Sequence, residues 1–90
     1  MKLIIPQVRT LYYGLELTVR PDANYIVTTA DGAVMEYSVK PVLDISCRKP
    51  IWKSVKDGSV DGRLICFVDL DGVDYKSSLH PITPLTNSDT

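Results

Sequence analysis

Four of the chain's five glycines directly follow an aspartate, in Asp31-Gly32, Asp57-Gly58, Asp61-Gly62 and Asp71-Gly72. Asp-Gly supplies the positive φ values of a tight reversal, and these pairs punctuate runs rich in Val, Ile, Thr and Tyr. The pattern predicts serial hairpins, and therefore an antiparallel all-β protein. About six to seven short strands joined by Asp-Gly hairpins suit a small barrel or a two-layer sandwich. The barrel is preferred, because closure hides sheet edges and a chain of 90 residues cannot easily cover two open sheets.

Across residues 9–21 the apolar residues Leu11, Tyr13, Leu15, Leu17 and Val19 alternate with mostly polar ones. This predicts one long strand with a buried face, bent at Gly14. Asp31-Gly32 separates Tyr25, Ile26, Val27, Thr28 and Thr29 from a run whose Ala33, Met35, Tyr37 and Val39 share a face, which is the clearest hairpin in the chain. A short strand follows Pro41 with Leu43, Ile45 and Cys47 inward. For residues 50–57 two readings stand: a helical turn starting at Pro50, or an edge strand in which Ile51, Lys53 and Val55 alternate, the latter preferred. Residues 63–69 are apolar at both parities, as in a central strand covered on both sides, and Asp71-Gly72 is expected to return them into a strand through Val73, Tyr75, Ser77 and Leu79. The chain reads as one β domain over residues 1–80 with a mobile tail over 81–90, where two prolines interrupt any periodicity.

Composition is that of a globular domain, 44% hydrophobic and 23% charged. The first residues carry too few apolar side chains before Pro6 for a signal peptide, and no apolar run approaches a membrane span, so a cytoplasmic location without membrane association is expected. Cys47 and Cys66 are too few for a disulfide framework and are read as free thiols.

The run Leu64-Ile65-Cys66-Phe67-Val68-Asp69-Leu70-Asp71-Gly72-Val73 resembles the first motif of haloacid-dehalogenase-type phosphatases. That resemblance implies an α/β domain, a magnesium ion, and Asp69 and Asp71 as nucleophile and acid/base. Only 17 residues follow Val73, which leaves no room for the family's later helices and motifs. A strand ending in a hairpin turn accounts for the same ten residues. Asp69, Asp71 and Asp74 do not fit a calcium loop, whose glycine comes later and whose flanks are helices. His80 is the only histidine, so a triad or a zinc site lacks partners in kind. No catalytic residue, metal ligand or cofactor is assigned, and the chain is not expected to be an enzyme.

Residues 48–56 carry Arg48, Lys49, Lys53 and Lys56, no acidic residue, and the only tryptophan, Trp52. Cations beside a stacking face are what a single-stranded nucleic-acid groove uses, and tryptophan and arginine are also the types most enriched at protein hot spots. Residues 1–56 sum to +3 and residues 57–90 to −4, while the net charge of −1 provides no general attraction to nucleic acid. The leading expectation is a small non-enzymatic protein acting by protein–protein contact through Arg48, Lys49, Trp52, Lys53 and Lys56. Size and simplicity suggest an accessory or inhibitor protein of a phage or mobile element. The alternative is a nucleic-acid-binding barrel using the same segment. Self-association through strand edges is a further expectation.

Overall fold

The computed structural model describes residues 8–46, 48–56 and 59–84. Its elements bear out the all-β reading: ten short strands among the described residues, all paired antiparallel, and one 3₁₀ turn at Tyr75–Ser77.

The expected long strand over residues 9–21 is instead a hairpin of β1 (Val8–Tyr12) and β2 (Leu15–Val19). Tyr13 and Gly14 both have positive φ, 50° and 78°, the pattern of a type I′ reversal, so Gly14 turns the chain back rather than bending it. A two-residue reversal also changes which parity faces inward. Tyr12 lies opposite Leu15 and Thr10 opposite Leu17, so the inward positions of β1 are even, and Leu11 and Tyr13 are exposed.

The Asp31-Gly32 hairpin forms as expected, between β3 (Tyr25–Thr28) and β4 (Ala33–Tyr37). Gly32 N–H donates to the Thr29 carbonyl at 3.0 Å, and Gly32 then adopts φ 89°. Next come β5 (Val42–Asp44) and β6 (Ile51–Lys53), which pair with each other, and β7 (Val55–Lys56) and β8 (Ser59–Val60), which pair across Asp57-Gly58, outside the described residues. This stretch is therefore extended over residues 51–56, as preferred over a helical turn, but it is two strands in separate sheets broken at Ser54 rather than one edge strand. β5 stops at Asp44, however, and Ile45 is exposed rather than inward; Cys47 lies outside the described residues.

β9 (Arg63–Phe67) and β10 (His80–Pro81) complete a four-stranded sheet in the order β10-β3-β4-β9. This sheet and the three two-stranded ones do not close, so the preferred barrel gives way to a layered, sandwich-like arrangement. Among the described residues no ladder joins the three two-stranded pairs to the edges of the four-stranded sheet, so the continuous hydrogen-bonded ring that closure requires is not formed. The β1–β2 hairpin covers one face of the four-stranded sheet, with Tyr12 and Val19 packed in one cluster with Ala23, Ile26 and Val34.

β9 is an edge strand rather than a central one. Its pairing with β4 jumps from Cys66 opposite Val34 to Leu64 opposite Met35, so Ile65 is an extra residue, a bulge. The bulge lets the consecutive Ile65 and Cys66 both pack against the core, while Leu64 and Phe67 remain 54% and 66% exposed. Apolar residues at both parities thus reflect a bulge and an uncovered face, not burial on two sides.

Two of the Asp-Gly pairs behave unlike hairpin turns. Asp61 is buried, and its carboxylate accepts the N–H groups of Ser38 and Val39 at 2.9 and 2.8 Å, holding the chain as it leaves β4. Gly62 is needed for close approach, because a Cβ there would lie 2.9 Å from the Tyr37 ring. Asp71-Gly72 does reverse the chain, with φ 47° and 83°, but leads into the 3₁₀ turn and not a strand. The Asp74 carboxylate caps that turn by accepting Lys76 N–H at 3.0 Å. Ser78 then stands in for a ladder partner, its hydroxyl accepting Thr28 N–H at 2.8 Å.

Residues 81–84, assigned from sequence to the tail, are tied to the fold: Pro81 pairs with Tyr25, Ile82 N–H donates to the Asn24 carbonyl at 2.8 Å, and Thr10 bridges Pro84. Residues 85–90 lie outside the described residues.

Candidate functional site

Trp52 faces Leu43 across the β5–β6 ladder, and the loop between these strands carries the exposed Arg48 and Lys49, of which Lys49 shares a groove with the indole. The ring is half-buried, between the surface and core alternatives, because its Nε1–H donates to the Tyr75 carbonyl at 3.0 Å. Tyr75 in turn reaches the start of β6, its hydroxyl donating to the Pro50 carbonyl at 2.9 Å. This clamp forms one wall of a groove of about 330 Å³, lined also by Lys49, Ile51 and, from the β3–β4 turn, Asp31. Ile51 is 44% exposed at its rim. The Thr29 hydroxyl, donating to the Asp31 carboxylate, is the main cause that holds this carboxyl below its usual range, and the Lys49 charge contributes in the same direction.

The five candidate residues do not converge on one site. Lys49 and Trp52 line the groove, whereas Arg48 is exposed outside its lining. Lys53 forms an ion pair with Asp44 across the hairpin at 2.6 Å, and that bond, helped by the Ser46 hydroxyl, pulls the Asp44 carboxyl well below the ordinary carboxylate range. Lys56 is carried away on β7, and its side chain lies outside what the structure describes. Sequence reasoning missed Tyr75 and Asp31. A local signal existed for the former, since Asp74 before a Ser-containing turn is a capping pattern.

Asp69 and Asp71 lie on the turn after β9 and border a second groove, of about 360 Å³, whose other walls include Tyr12, Tyr13, Leu15, Leu70 and Val73. The Asp69 carboxylate accepts Asp71 N–H at 3.0 Å. Tyr13 packs edge-on against Tyr12 and His80, with ring centroids 4.8 and 4.9 Å away. His80 Nδ1 donates to the Ser78 carbonyl at 2.9 Å. Among the described residues no three His, Cys, Asp or Glu side chains are grouped to hold a metal ion, and no helix is long and apolar enough to cross a membrane. The phosphatase resemblance ends at the strand and its turn, since the surrounding structure is antiparallel β. No family model matches the chain, and no curated protein or solved structure matches it.

Proposed function

We propose that this chain is a small binding protein that acts on a protein partner in an accessory or inhibitory capacity, without catalysis, through the groove around Trp52. The observation that carries this reading is the pair of hydrogen bonds that fixes the indole, Trp52 Nε1–H to the Tyr75 carbonyl and the Tyr75 hydroxyl to the Pro50 carbonyl. A half-buried indole held by its own N–H loses little freedom when a partner packs on it, and aromatic anchors of this kind dominate the energetics of protein interfaces. Ile51 adds apolar contact at the rim, and Lys49 and Asp31 supply one charge of each sign.

That charge mixture favours protein over nucleic acid. A single-stranded nucleic-acid groove uses a track of cations along the phosphates, whereas here Lys53 is bonded to Asp44 and the carboxylate of Asp31 sits in the groove with Lys49. The test is capture from lysate at stepped salt, with and without nuclease, using the parent and Ile51→Asp. A protein partner retained at high salt after nuclease, and lost from a variant that melts like the parent, supports the reading. Retention that collapses steeply with salt or disappears with nuclease transfers the site to nucleic acid. Self-association along β9 is a second reading, favoured by the exposed Leu64 and Phe67. Sedimentation across a concentration series, with Leu64→Lys as control, tests it.

A further inference from the structure

The second groove differs from the first in having charge without a counterion. Asp69 and Asp71 stand at its rim, no Lys, Arg or His lines it, and neither aspartate forms an ion pair among the described residues. Its walls are otherwise largely apolar or aromatic, and two of them, Tyr13 and Leu15, are 50% and 46% exposed. An apolar cleft edged by uncompensated carboxylates complements a ligand that is itself apolar with a positive head.

The backbone fixes where the Tyr13 ring stands. The two non-glycine residues with positive φ among the described residues are Tyr13 and Asp71, at 50° and 47°, and both line this cleft. Aspartate tolerates this region, whereas at Tyr13 asparagine or glycine would fit better than a bulky ring. The β1–β2 reversal nevertheless holds a tyrosine there, next to the cleft and braced by Tyr12 and His80.

We propose that this cleft docks a basic segment of a partner protein, one Lys or Arg head lying between the Asp69 and Asp71 carboxylates and against the Tyr13 ring, with a neighbouring apolar side chain on Leu15 and Val73. Tyrosine faces attract such cations, and Arg can also bond a carboxylate with two parallel N–H groups. Two carboxylates among apolar walls are a poor cage for a hydrated metal ion, which prefers more oxygen ligands. The proposal does not depend on the Trp52 groove.

The experiment selects random peptides displayed on phage against the full chain, then maps the best synthetic peptide by amide chemical shifts. The expected peptides carry Lys or Arg beside a large apolar residue and shift the amides of Leu15, Leu70 and Val73. Affinity should fall at least tenfold for Asp69→Asn/Asp71→Asn. These changes preserve the turn, since asparagine still accepts the Asp71-position N–H and tolerates positive φ. Tyr13→Asn, which leaves an Asn-Gly reversal, should weaken binding as well. A peptide with citrulline or acetyl-lysine at the basic position should fail to bind. The proposal is overturned if no peptides are enriched, if enriched peptides lack a basic residue, if the neutral peptide or the double variant binds as well as the parent pair, or if the shifts fall around Trp52. Full competition by spermine or free arginine at the peptide's own affinity would also overturn it, by making the cleft a small-cation site.

Discussion

The two grooves have similar volumes, about 330 and 360 Å³, and lie on either side of one hairpin end, but they treat their polar groups differently. Beside Trp52 the indole N–H, the Tyr75 hydroxyl and the Asp31 carboxylate are all answered from within the chain. Beside Tyr13 the Asp69 carboxylate accepts only Asp71 N–H, no cation lines the groove among the described residues, and the backbone is held where a tyrosine is disfavoured. Internal partners lock a surface in shape and leave apolar contact as its means of binding. Unanswered charge leaves a surface selective for a partner that carries the opposite sign.

The Asp31-Gly32 turn gives Asp31 to the first groove and is tied to Val68, which lines the second, by Val68 N–H donating to the Gly32 carbonyl at 2.8 Å. Gly32→Ala is the largest expected effect, because its Cβ would sit 2.2 Å from the Val68 carbonyl oxygen at positive φ. A loss of about 3 kcal/mol in urea unfolding is expected from overpacking and the left-handed conformation together. At Gly14 and Gly72, where a Cβ meets nothing within 4 Å, alanine should cost only about 1 kcal/mol. Equal losses at all three glycines would show that the Gly32–Val68 contact is not a tightly packed link between the two regions.

The aromatic anchors separate the regions next. Trp52→Ala should cost about 2 kcal/mol through lost packing and the bond to Tyr75, and Trp52→Phe about 1 kcal/mol. Tyr13→Asn should change stability by less than about 1 kcal/mol, since relief of positive φ offsets the lost ring contacts. A large destabilisation by Tyr13→Asn would make that ring a structural element like Trp52 and erase the contrast.

Acid should act on the Trp52 side. Asp44 has a folded pKa below its unfolded value, so its stabilising contribution is present above the ordinary carboxylate range and is lost as pH falls toward the folded value. Asp31 has the same sign, with the Thr29 hydroxyl as its main cause. Melting temperature measured below about pH 4 should therefore decline less steeply in Lys53→Met than in the parent, Lys53 being the main cause at Asp44. An unchanged slope would remove the ion pair from the account. The smallest effect is expected for Arg48→Ala with Lys49→Ala, within about 0.5 kcal/mol by thermal melting, because both side chains are exposed.

What could be read from the residues follows the range of the forces involved. Asp31-Gly32 with β-branched and aromatic flanks is a local signal and produced the hairpin expected. Residues 48–56 were visible as a basic run around Trp52, yet Tyr75 and Asp31 complete that groove from distant parts of the chain. The pairing of Lys53 with Asp44 removed one cation from the candidate set, through strand register that the run itself does not contain. Nothing in the alternation of residues 9–21 distinguishes a bend at Gly14 from a reversal at Tyr13-Gly14, and that choice alone decides which side chains reach the second groove.

By itself, then, the order of residues determined an antiparallel, hairpin-rich β chain, because alternation and turn chemistry act within a few neighbours. Tertiary structure decided the rest. It made Asp61 a cap for Ser38 and Val39 and Gly62 a berth for the Tyr37 ring, although both residues belong to the same dipeptide as the turns. It left β9 at an edge, and it brought Tyr13 and Asp71 to the same groove. Each outcome depends on a contact between residues far apart in the chain, whose free energy exists only once the layers have packed, and no local pattern encodes it.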